Sequence, residues 1–272
     1  MAATFDIYLA IIRIAWLNIL AYRTYAVMQV IGMPIVLFSY YFLYSSLFAY
    51  SRQGMEGTVA GFDMRQLMTY ATLVSAIRMF QRTNIDRHIG HRVRSGMIAI
   101  DFIRPLNFMI YCFFRGFGRT LFRTSMIVIP TLVLGVLFGF LHPPAGGVTL
   151  MLFPVSLILA YMIGFFLSYI VGLVSFFVQY NMGIAWGVEL VISIAAGVMV
   201  PLDFYPDAMR AVLQALPFDD MIYMPTMLYL GRITGAEALG VIGAQAVWLV
   251  VFWLAALALG RGAANKLMVQ GG

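Results

Sequence analysis

Apolar residues in this chain gather into continuous runs, and several approach the ~20 residues needed to cross a hydrocarbon core roughly 30 Å thick. Six spans can be read, at roughly 25–50, 65–82, 120–141, 148–179, 183–200 and 238–260. The third reads as the end of a longer helix that starts near Asn107. Because the runs are continuous rather than alternating, they predict helices and not the strands of a β-barrel. The expected class is all-α: a polytopic helical membrane protein with a single transmembrane domain over 25–260. His142 to Gly147 predicts a tight turn between spans three and four, and Gln179 to Met182 a short one between four and five.

Two segments depart from this pattern. At the N-terminus, Phe5, Tyr8, Leu9, Ile12, Trp16, Ile19 and Leu20 recur near one helical face, with Asp6, Arg13 and Asn18 off it. Residues 1–24 are therefore expected to form an interfacial helix on the cytoplasmic side. The competing reading is a poor extra span, which would carry the cost of a charge at mid-membrane. Nearer the C-terminus, Gly197 to Gly231 interrupts the apolar runs with Pro201, Pro206, Pro217 and Pro225 and with Asp203, Asp207, Asp219 and Asp220. Proline fixes φ and removes a donor, so 201–235 predicts short broken helices at the outer surface. Such helices can dip into the bilayer where protein shields the broken backbone.

Composition strengthens the membrane reading. Charged residues make up 10% of the 272 positions and mean hydropathy is +0.92, whereas soluble domains carry about 25% charged residues. Cys112 is the one cysteine and cannot form an internal disulfide. The first residues lack a basic region before the apolar stretch, so no cleavable signal peptide is expected. Arginine sets the orientation. Arg82, Arg87, Arg92, Arg94, Arg104, Arg115, Arg119 and Arg123 cluster between spans two and three. With six spans they share a side with Arg13, Arg23, Arg261 and Lys266, against only Arg52, Arg65, Arg210 and Arg232 opposite. The positive-inside rule puts that side, both termini and the tail 261–272 in the cytoplasm. The net charge of +6 is then a topology signal, and no basic module suited to nucleic acid is visible.

The cytoplasmic segment 82–106 is long for a turn, amphipathic in places, and broken at Ser95-Gly96 and Arg104-Pro105. A short protruding helix with basic side chains and with Ile98, Ile100 and Ile103 would suit docking to a cytosolic partner. A basic loop resting on anionic lipid would satisfy the same residues.

Arg94-Ser95-Gly96 followed by Phe102-Ile103-Arg104-Pro105-Leu106 resembles the "R-x-G … L-x-R-P-L" element of type-two ABC transporter permeases. Gly197, Pro201-Leu202, Pro206, Leu216-Pro217-Phe218, Tyr223-Met224-Pro225 and Tyr229-Leu230-Gly231 resemble that family's element between spans five and six. The order and spacing agree over nearly the whole chain. The resemblance implies a dimer, either of two copies of this permease or with a sister permease, in the bacterial cytoplasmic membrane. Each subunit would bind one cytosolic ATP-binding subunit, which holds ATP and Mg. It implies coupling to that ATPase through the N-terminal helix and Arg87, Arg92, Arg94, Gly96, Ile98 and Arg104. It also implies a re-entrant helical hairpin gating the path from outside at Pro201, Pro206, Pro217 and Phe218. Most such permeases export drugs, peptides, lipids or glycans.

The residues themselves agree with a dependent subunit. There is no G-x-x-x-x-G-K-[ST] phosphate loop, and Lys266 is the only lysine. No catalytic residue and no cofactor of its own is expected. His88 and His91 lack the further ligands a metal would need. Glu189 lies inside span five, where an ionisable group is costly. It can line the path and attract a cationic substrate, pair with an arginine such as Arg78 or Arg115, or snorkel to the cytoplasmic surface. Arg78 itself is expected to snorkel. Gly164, Gly172, Gly183 and Gly187 suit close helix approach. The alternative function is an ion-coupled secondary transporter, which would want internal repeats and midplane acids in matching halves. An intramembrane enzyme would want converging polar groups, for which Asp219-Asp220 is the nearest candidate, expected at the outer surface.

Overall fold

The computed structural model describes residues 2–20, 23–50, 57–103, 106–144, 146–178 and 181–271. Arg52, Arg104, Pro105, Ala145, Gln179 and Tyr180 of the segments discussed above lie outside them. The described residues are helical throughout apart from turns and one isolated bridge between Val59 and Phe62.

The N-terminal helix α1 (Ala2–Leu20) lies across α6 (Phe108–Arg123), and glycine sets the crossing. A Cβ on Gly118 would come within 2.8 Å of the Ile12 carbonyl oxygen. Tyr8 stacks on Phe114 and Trp16 meets Phe122 edge-on beside this contact. Asp6 and Arg13 are exposed, as the periodicity predicts. Leu9 is exposed too, with Ile7, Ile14 and Leu17, so the outward face of α1 is also largely apolar.

Helix α2 (Arg23–Tyr50) buries only one stripe, Met33, Leu37, Tyr44 and Phe48, at the spacing of a single helix face. Helix α3 (Met64–Gln81) is the opposite case, with both faces covered along most of its length. It starts at a capping box in which Asp63 Oδ1 accepts from the Gln66 amide at 2.6 Å. Two short helices follow, α4 (Ile85–Arg94) and α5 (Ile98–Ile103). Then α6 runs through a wide π turn at Thr124–Val128 into α7 (Ile129–Leu137). Pro130 at the second position of α7 has no N–H to give the preceding turn, which accounts for the local widening.

Helix α8 (Val148–Val174) is the central post, packed on α12 (Gly235–Gly271), α11 (Asp219–Tyr229) and α4. Between α8 and α11 come α9 (Met182–Ala195) and α10 (Asp207–Gln214). Two buried clusters result. One joins α2, α3, α8 and α11 around Leu37, Tyr70, Ile163 and Ile222; the other joins α4, α6, α8 and α12 around Ile89, Cys112, Phe165 and Ala256.

Among the described residues, four helical stretches are long and apolar enough to cross a membrane: Val27–Tyr50, Phe108–Leu137, Thr149–Val174 and Gly235–Lys266. The expected second and fifth spans exist as α3 and α9 but fall short of that standard. Helix α3 carries Arg65, Gln66, Arg78 and Gln81, and α9 has 14 residues. Residues 261–271 of the expected tail continue α12, which is helical to Gly271. At 37 residues that helix is roughly 55 Å long, well beyond a hydrocarbon core.

Candidate functional site

Three structures stand out: the α4–α5 unit, the cleft beside Glu189, and the broken segment from Gly197 to Tyr229.

Amphipathicity builds the first. Ile85, Ile89 and Gly90 are buried beneath α4, while Arg87, His91 and Arg94 face out. Two glycines allow this seating. A Cβ on Gly90 would meet Asn181 Oδ1 at 2.4 Å, and one on Gly172 of α8 would meet Ile89 Cδ1 at 2.8 Å. Gly96 then turns the chain at φ +70° into α5. Arg92 does not present its charge outward. Its Nε and an Nη reach Asp101 at 2.6 and 2.7 Å, a two-pronged contact with a carboxylate only 1% exposed. Ile98, expected to protrude, is buried instead, while Arg92 is half-buried. The apolar groups that do protrude are Ile100 and Ile103. No sequence signal marked Arg92 and Asp101 as partners, because they sit in different helices across the Gly96 turn.

His88 lies under this unit, its Nε2 buried without a partner among the described residues. Burial, helped by the Arg115 and Arg119 guanidiniums, pushes its pKa down from 6.5 to about 3. A neutral ring in the fold and a titrating one in the unfolded chain make stability complete above pH 6.5 and progressively lost below it. At pH 5 the expected loss is about 2 kcal/mol. A pH series of melting curves in detergent, with His88→Gln as the variant that flattens it, checks this; a wild-type curve no steeper than the variant's would refute it.

In the cleft, α9 runs antiparallel to α3 and presents Glu189 and Ser193 one turn apart. Arg78 donates to Glu189 Oε1 at 2.9 Å and to Ser193 Oγ at 2.8 Å. Arg82 approaches the same carboxylate oxygen at 3.5 Å. Of the two arginines named from sequence, Arg78 is the one that pairs with Glu189, which also lines the cleft; Arg115 instead reaches the Tyr111 hydroxyl at 3.4 Å. Arg78 is thus held by protein rather than snorkelling. The i, i+4 spacing of Arg78 with Arg82 and of Glu189 with Ser193 was the available signal. Arg78, Arg82, Arg87, Asp86 and Glu189 border a half-open cavity of about 90 Å³ between α3, α4, α8, α9 and α11.

Tyrosines organise the broken segment, and of these sequence reasoning passed over Tyr40 and Tyr70. The chain leaves α9 at Gly197, φ +69°, whose carbonyl accepts from Tyr70 at 2.6 Å. Tyr40 donates to the Val198 carbonyl and Tyr223 to Asp203 Oδ2 at 2.7 Å. Pro201 and Pro217 are buried, Phe218 is half-buried and Pro206 is exposed. Helix α11 then threads the bundle. At one end Gln81, the last residue of α3, donates to the Met221 carbonyl; at the other the Tyr229 hydroxyl donates to the His142 carbonyl at 3.0 Å. Asp219 and Asp220, expected at the outer surface, are buried at the Gln81 end. Gln245 of α12 ties that end down, donating to the Asp220 carbonyl and to Ser156 Oγ, both at 2.8 Å. Among the four glycines expected to allow close approach, Gly164 and Gly172 are tightly packed, whereas Gly183 and Gly187 have nothing within 4 Å of a would-be Cβ.

A family model described as ABC-2 family transporter protein matches residues 34–266, nearly all of this helical bundle. The chain belongs to the ABC-2 transporter family. Comparison with curated proteins gives no match. Family membership makes this chain a multi-pass membrane protein and the permease subunit of an ABC transporter, a transport subunit that works with ATP-binding partners. The match covers both the α4–α5 unit and the broken segment after α9.

Proposed function

We propose that this permease crosses a bacterial cytoplasmic membrane six times, with both termini inside, and exports a lipid-like, drug-like or peptide substrate. Helices α3 and α9 supply the second and fifth spans. Their polar residues are accommodated because the Arg78–Glu189 pair satisfies one with the other. Helix α1 lies in the inner interface, and two permeases, identical or sister, form the path between them. The segment from Pro201 to Tyr229 is the outer gate, a re-entrant hairpin whose return arm is α11. Contacts of α11 with Gln81 at one end and His142 at the other support that depth.

The observation that carries the reading is the build of α4 and α5. A unit braced from beneath by Ile85, Ile89 and the Arg92–Asp101 pair, and showing Arg94, Ile100 and Ile103 outward, suits transmission of force from a docked ATPase. A basic loop lying on lipid would have no use for that bracing.

Purification of the tagged chain from its native membrane in mild detergent, followed by mass spectrometry and an ATPase assay, tests this. A stoichiometric ATP-binding subunit with vanadate-sensitive hydrolysis is the expected result. An ATPase-free oligomer that persists under crosslinking would overturn it and bring ion-coupled transport forward.

A further inference from the structure

The cavity beside Glu189 has a chemically mixed lining. Apolar side chains, Leu167, Val171, Val188, Ile192, Met221 and Ile222, share it with neutral polar ones such as Gln81, Asn84 and Ser168. Three guanidiniums, Arg78, Arg82 and Arg87, and two carboxylates, Asp86 and Glu189, complete it. The carboxylates are already engaged. Glu189 accepts from Arg78 and sits 3.5 Å from Arg82, and Asp86 Oδ1 accepts from Ser168 at 3.1 Å. The cationic side has capacity left. An arginine offers five N–H donors, and Arg82 approaches Glu189 only at that longer distance, with its side chain 30% exposed. Arg87 is exposed and pairs with no carboxylate among the described residues. Helix α9, which forms one wall, turns Trp186 and Leu190 outward, so the cavity lies directly behind an apolar outer face.

We propose that this cavity binds an amphiphile bearing a phosphate or other anionic headgroup. The guanidiniums of Arg82 and Arg87 take the anion, and the apolar side chains take the first part of its chain. Paired arginines suit phosphate because their planar forks donate two parallel hydrogen bonds. Of the two acids at the cavity, Glu189 is committed to Arg78 and Arg82, and Asp86 accepts from the Ser168 hydroxyl. The inference rests on the permease reading for its role, naming the substrate class, but the binding itself does not depend on it.

The test is binding to the full-length chain purified in a neutral detergent, followed by native mass spectrometry. The probes are dioctanoyl phosphatidylglycerol, dioctanoyl phosphatidylcholine and inorganic phosphate. The wild type is expected to prefer the glycerol lipid over the choline lipid by about tenfold. Arg82→Gln should erase that preference and Arg82→Lys should keep most of it. Val188→Trp, which fills the cavity, should abolish binding of both lipids. Glu189→Gln gives the decisive sign: it removes a competing anion and should leave glycerol-lipid binding equal or tighter. Equal affinity for the two lipids, or weaker glycerol-lipid binding by Glu189→Gln, overturns the proposal. Displacement of the lipid by inorganic phosphate at the same concentration also overturns it, by reducing the cavity to a site for a small anion. A missing ATPase partner would instead count against the permease reading, whatever the lipids do.

Discussion

Arg92→Ala is expected to loosen the α4–α5 unit by about 3 kcal/mol, the cost typical of removing one member of a largely buried ion pair. Asp101 is almost wholly buried and receives two short hydrogen bonds from Arg92, so the variant removes two groups that offset its desolvation. The unit is small and locally anchored, so the loss should show as local opening rather than global unfolding. Hydrogen exchange over 85–103 is the direct measurement. The expected result is much faster exchange there and little change in α8. A companion variant separates bracing from docking. Arg87→Glu changes an exposed cation on the same helix with no carboxylate partner among the described residues, and should weaken ATPase association while leaving exchange alone. If Arg92→Ala leaves exchange unchanged, Arg92 acts at the surface after all, and the bracing account fails.

Gly197→Ala is expected to cost about 2–4 kcal/mol, from a left-handed backbone and a blocked Cβ position together. The backbone at Gly197 has φ +69°, and a Cβ there would lie 2.5 Å from the Tyr70 hydroxyl and 3.3 Å from Tyr223. Tyr70 is fully buried and uses that hydroxyl to hold the Gly197 carbonyl, so it has little room to retreat. Gly139→Ala is the control, because φ is +68° there but nothing lies within 4 Å of the new atom. The melting midpoint in detergent should fall several degrees further for Gly197→Ala than for Gly139→Ala. Equal shifts would mean that backbone strain accounts for everything and that the tyrosine contacts do not fix the segment.

Both sites show where sequence reading stops. Continuous apolar runs gave helices α2, α6 with α7, α8 and α12, because the cost of exposing backbone to lipid leaves a long apolar run few alternatives to helix. The position and breakage of 201–229 followed from proline alone, since a fixed φ and a missing donor act locally. The two family elements indicated a permease, and the family match agrees over 34–266. Helix α3 was legible despite its polar residues only because neighbouring spans framed it.

What depended on distance in space was not legible. Ile98 was assigned to the protruding surface because a six-residue helix has too few turns for its periodicity to show which side is covered. The choice of Arg78 over Arg115 for Glu189 was open because both are arginines at plausible depth, and only the antiparallel packing of α9 on α3 brings one within 2.9 Å. Asp219 and Asp220 read as surface acids because local sequence cannot report that Gln81 and Gln245 fasten the start of α11 inside the bundle. Composition and periodicity by themselves determined the class, the helices and the breaks, since those arise from each segment's own backbone and solvent. The tertiary structure alone decided which charges meet, which glycines are filled, and that a cavity bordered by three arginines lies between α3 and α9, since those follow from contacts among helices far apart in the chain.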